Sequence, residues 1–123
     1  MSQPLEHASF DKPDEVLEGD NWRLEQVNLE GGASVGRMTL QPGWRWSEHV
    51  GPTAGTKLCM APHQQYQLSG RIHVVMEDGT ELDAVAGEVT SLPPGHDAWV
   101  VGDEPVVAID WHGASVWARR QGA

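Results

Sequence analysis

Residues 71–85 read RIHVVMEDGTELDAV. In the first half, Ile72, Val74 and Met76 alternate with Arg71, His73, Val75 and Glu77. That period of two belongs to a strand with one face turned to a core. Asp78-Gly79 is a tight hairpin signal, and ELDAV resumes as the returning strand.

The same pattern extends in both directions. Upstream, WRLEQVNL (22–29) ends at Gly31-Gly32, and ASVGRMTLQ (33–41) stops at Pro42-Gly43. WRWSEHV (44–50) follows and runs into GPTAGT, a loop by composition, and HQQYQLSG (63–70) turns at Gly70. Downstream come EVTSLP, HDAWVV and VVAIDWH. The sum is about nine strands with turns every eight to twelve residues and no convincing helix, which predicts an all-β sandwich or barrel. The first 20 or so residues, rich in Pro, Asp and Glu, read as an irregular arm or short leading strand. The expected division is an arm at 1–21, a barrel at 22–117 and a C-terminal tail at 118–123.

With 123 residues, 39% of them hydrophobic and six of them Trp, the chain fits one domain around one core. A formal charge of −10 repels phosphate backbones and anionic membranes, so neither is an expected partner. A single cysteine, Cys59, excludes an intramolecular disulfide and suits a reducing cytoplasm. The start shows no basic-then-apolar leader, and no apolar run of about 18 residues occurs.

Two segments resemble the paired motifs of the cupin superfamily. Gly43, five residues and His49 match the opening of the first motif. Counting back six residues from Gly70 places His63 where the family has a glutamate. Gly87, five residues and Pro93-Pro94-Gly95 match the framework of the second. The resemblance covers residues 36–112. It implies a cupin-like jelly-roll barrel (a double-stranded β-helix), often dimeric, with a mononuclear metal site in its mouth. The departures are specific: Gly51, Ala98 and Gly102 stand where the family has two histidines and an asparagine.

Strand parity rebuilds a site. If the glutamate position faces inward, His63, Gln65 and Gln67 all do, and His96 shares the parity of position 98. His49, His63 and His96 are therefore the expected ligands of one divalent transition metal, with Fe, Zn, Mn, Ni and Cu all admissible. Cys59, four residues before His63, is a possible additional ligand. Gln65, Gln67, Trp44 and Trp46 are expected to line the cavity, while His73 and Tyr66 should point outward.

These residues favour an enzyme acting on a small organic molecule, with dioxygenase-like oxidative cleavage ahead of isomerase or lyase chemistry. Glu48 and Asp97 have the wrong parity to serve as acid or base beside the ligands, which disfavours base-dependent chemistry. No catalytic residue beyond the ligands is identified. The alternative is a non-enzymatic binding or sensory cupin. A small-molecule ligand and a homodimer are the expected partners.

Overall fold

The structure is a computed structural model that describes residues 4–112. The expected boundary at 117/118 lies outside those residues. Among the described residues nine strands are present: β1 (Glu15–Gly19), β2 (Trp22–Asn28), β3 (Ser34–Leu40), β4 (His63–Ser69), β5 (Arg71–Met76), β6 (Glu81–Val85), β7 (Val89–Leu92), β8 (His96–Val101) and β9 (Val106–Asp110). They form two antiparallel sheets, ordered β1-β2-β3-β9-β4-β7 and β6-β5-β8. The hairpin predicted at 71–85 is β5–β6, with Ile72 opposite Ala84 and Val74 opposite Leu82. Its inward face packs in the shared core, where Ile72 and Val74 meet Trp22, Leu24, Met38 and Leu40. The edges β6 and β7 do not pair with each other, so the jelly roll is not closed into a continuous ladder.

The leading segment contributes a true strand, since β1 pairs with β2 along its whole length. The strand expected at 44–50 is not there. Residues 46–54 instead form two short helices, α1 (Trp46–His49) and α2 (Gly51–Ala54). The cause is tertiary. The Ser47 backbone N–H donates to the Asp97 carboxylate at 3.0 Å, from a strand 50 residues away, and Pro52 opens α2. Trp46, Val50 and Ala54 are all buried at a spacing of four, a helical period inside a stretch that looks strand-like because of its tryptophans. No helix among the described residues is long and apolar enough to cross a membrane.

Candidate metal centre

His63 is the first residue of β4, opposite Leu92 on β7. His96 is the first residue of β8, opposite Met76 on β5. The two sheets thus each present one imidazole to the interior, and the rings meet edge to face with centroids 5.3 Å apart. Cys59 comes from the loop after α2. An isolated bridge holds it to β8: the Cys59 N–H donates to the His96 carbonyl at 2.7 Å. One donor atom from each of Cys59, His63 and His96 lies within 4.8 Å of the others, and all three residues are buried.

The hydrogen bonds around the two rings decide which nitrogen is available. His63 Nδ1 donates to Asp110 Oδ2 at 2.5 Å, and its Nε2 lies 3.5 Å from Cys59 Sγ. His96 Nδ1 donates to the Pro93 carbonyl at 2.7 Å. Each ring is thus held from behind through Nδ1 and turns Nε2, the nitrogen that could ligate, toward the cluster. Burial pushes the His96 pKa down to about 4, helped by His63 and opposed by the Pro93 carbonyl, so this ring is neutral near pH 7. One cysteine sulfur and two imidazole Nε2 atoms form a donor set that would fit a metal such as Zn or Cu.

His49 does not join them. It ends α1 half-buried, with its Nδ1 3.0 Å from the Arg45 backbone nitrogen. Its ligand role rested on the motif spacing from Gly43, and the helix that replaced the expected strand carries His49 away from the cluster. Cys59, whose direction the sequence leaves open, takes the third place. Asp97 faces away as its parity predicts, held by Arg45 Nε at 3.1 Å and by Ser47. His73 lies outside in contact with Asp83 and Glu81, and Tyr66 is exposed.

Trp44 and Gln65 line the interior cavity beside His63 and His96, together with Met38 and Leu92. Trp46 and Gln67 are buried but do not line it: Trp46 packs in the core, and Gln67 Nε2 donates to the carbonyls of Gly70 and Ala84. The cavity measures ≈ 20 Å³, about enough for one water. That size bears on a second arrangement, because Cys59, His63 and Asp110 also stand in the order of a nucleophile, a base and an orienting carboxylate. Cys59 is 0% exposed, and an acyl substrate does not fit beside it. Metal ligation draws on Cys59 and His63 together with His96, whose donor atoms already lie within 4.8 Å of one another.

The residue that sequence reading passed over is Asp110. Its signal was a lone acid at an inward position of β9, where Val106, Ala108 and Asp110 alternate into the core.

No protein-family model matches the chain, and no curated protein matches it in sequence. Solved structures do. A Rhizobium leguminosarum protein of unknown function is similar with a TM-score of 0.62 at 16% identity, covering 89% of this chain and 98% of that one. Lactobacillus farciminis oxalate decarboxylase, as a formate complex, gives 0.58 at 17% identity over 85% of this chain. Bacillus subtilis oxalate decarboxylase gives 0.60 at 20% identity over 81%. The chain spans only 32% and 27% of those two decarboxylase chains. At such identities the shared property is the architecture, which agrees with the Gly43–His49 and Gly87–Gly95 framework and the observed jelly roll: the chain has the cupin fold.

Proposed function

We propose that this chain is a metal-binding cupin that holds one divalent transition metal on Cys59, His63 and His96 and acts on a small molecule there. The observation that carries the proposal is the convergence of three buried donors within 4.8 Å from two sheets and a loop. Among the described residues no other group of three such donors gathers in this way. When bound, a metal at such a site supplies Lewis acidity or redox chemistry to a small ligand.

The chain's own residues shape what happens around it. Trp44, Met38 and Leu92 exclude bulk water, and Gln65 presents a buried Oε1 with no hydrogen-bond donor among the described residues. A ligand that donates a hydrogen bond fits that oxygen. The acids near the site are engaged elsewhere, Asp97 by Arg45 and Asp110 by His63. Oxidative chemistry on a small molecule, which does not need a free carboxylate as base, is therefore favoured over isomerase or lyase chemistry. The size of the cavity limits what sits beside the metal to a water-sized ligand unless Trp44 or Leu92 moves.

Elemental analysis of protein expressed with ample metal tests the site. About one equivalent is expected in the wild type and in His49→Ala, with loss in Cys59→Ala, His63→Ala and His96→Ala. Full retention in His96→Ala or Cys59→Ala overturns the proposal, as does a wild type without metal. Dioxygen uptake by the loaded protein with candidate small organic substrates then separates oxidative from non-oxidative chemistry.

A further inference from the structure

Three carboxylate side chains are buried among the described residues: Glu25, Asp97 and Asp110. Two of them face an arginine. Glu25 accepts from Arg37 Nε at 2.8 Å, and Asp97 accepts from Arg45 Nε at 3.1 Å. Asp110 is the deepest, at 0% exposure, and its ionisable partner is His63. Its other oxygen accepts the His112 backbone N–H at 2.9 Å. A carboxylate taken out of water without a compensating cation is strongly disfavoured.

Resting on the metal site proposed above, we infer that the charge Asp110 answers lies across the His63 ring, and that Asp110 makes the site select a divalent over a monovalent ion. The geometry divides this role in two. A carboxylate only accepts, so the 2.5 Å contact holds the hydrogen on His63 Nδ1 and leaves Nε2 facing Cys59 Sγ. That makes Asp110 a positioning residue for His63.

Its charge does the rest. With a metal bound, Cys59 would ligate as a thiolate and the two imidazoles as neutral donors through Nε2, so that Cys59 and the Asp110 carboxylate together bring two negative charges. A divalent ion brings this buried group to neutrality, whereas a monovalent ion leaves one negative charge unanswered. In the interior such a residual charge weighs far more than at the surface. Thiolate and imidazole donors by themselves accept both Zn²⁺ and Cu⁺. The ligands do not discriminate between the two ions; the carboxylate behind His63 does. Asp97, the other acid nearby, leaves the sum unchanged because Arg45 neutralises it.

The test is a competition measurement with Zn²⁺ alone and Cu⁺ alone against chromophoric chelators, without oxygen, on the full chain and its Asp110→Asn variant. Asparagine still accepts from Nδ1 but removes the charge. Zn²⁺ affinity should fall about 10–100-fold while Cu⁺ affinity falls less, moving the Zn²⁺/Cu⁺ ratio at least about tenfold toward Cu⁺. An unchanged ratio in a folded variant overturns the inference. Should the variant not fold, the Zn²⁺-loaded wild type decides, by ¹⁵N NMR of its histidines. His63 should show a far-downfield proton bound to Nδ1, and a bare Nδ1 overturns the inference. A wild type that binds neither ion removes the site itself. A wild type that binds Zn²⁺ through Cys59, His63 and His96, with no change of ratio in the variant, removes only the role of Asp110.

Discussion

Cys59 and His96 are backbone partners, joined by a 2.7 Å hydrogen bond from the Cys59 N–H to the His96 carbonyl, although 37 positions separate them. The Cys59 carbonyl also accepts from Gly95 at 2.8 Å, so the loop is tied on both sides of its peptide. A side chain held this firmly presents its sulfur in one direction without ordering cost at the moment of binding.

The first prediction follows from that rigidity. Protein loaded with Co²⁺ should show the intense near-ultraviolet absorption of a thiolate–metal bond. Cys59→Ser should abolish the band and weaken binding by at least about tenfold, since even outer-shell partners are worth that much. His49→Ala should leave the spectrum as it is. A band that survives in Cys59→Ser would place the sulfur outside the coordination sphere.

The second concerns Gly70, which set the count back to His63. Its φ is +76°, and a Cβ there would meet the Pro105 carbonyl oxygen at 2.6 Å and the Pro105 carbonyl carbon at 2.9 Å. Both are backbone atoms and cannot rotate away. Gly70→Ala should cost about 3 kcal/mol, the sum of left-handed strain and overpacking. Urea denaturation measures it as a lower midpoint at unchanged slope. A loss below about 1 kcal/mol would show that the Gly70–Pro105 contact yields easily.

That glycine also shows how far the sequence could be read. Ile72, Val74 and the Asp78-Gly79 turn carried the β5–β6 hairpin, because alternation and turn chemistry are local. Parity on β4 and β8 was enough to turn His63, Gln65, Gln67 and His96 inward. What escaped was set by contacts between distant segments. The carboxylate that anchors Ser47 comes from β8, so 46–54 became helical and His49 left the site. Cys59 sits in a loop where no period applies, and its direction comes from the bridge to His96. Asp110 was visible as an acid on an inward parity, but its partner became known only once β9 was seen beside β4.

The third prediction concerns Gln67, an interior amide that does structural work instead of lining the cavity. Its Nε2 donates to the Gly70 carbonyl at 2.7 Å and to the Ala84 carbonyl at 2.9 Å, linking β4 to a strand of the other sheet. Gln67→Leu conserves bulk but strands two buried carbonyls, at a cost of about 2–4 kcal/mol. Metal affinity should be unaffected, because no donor of the site touches this residue. A variant as stable as wild type would mean that water satisfies both carbonyls.

The last prediction is a pH dependence far from the metal. The His73 side chain lies outside β5, with its Nδ1 on Asp83 and its Nε2 3.2 Å from Glu81. Hydrogen bonding to Asp83 holds its pKa above the ordinary histidine value against the opposing effect of burial, with a lesser contribution from the hydrogen bond to Glu81. The folded state therefore binds this proton more tightly than the unfolded chain. The resulting stabilisation is fully present below the unfolded value of about 6.5 and is lost as pH rises through the folded value. Because Asp83 and Glu81 are well exposed, solvent screening keeps the effect under about 1 kcal/mol. The stability advantage of wild type over His73→Asn should shrink as pH rises above the unfolded value of about 6.5, and shrink less in high salt. The ring's contact with Trp99, centroids 4.7 Å apart, supplies packing that does not titrate out in the same way. An advantage that stays constant with pH would assign the contribution of His73 to that packing, and one that grows with pH would have the wrong sign for a histidine stabilised by carboxylates.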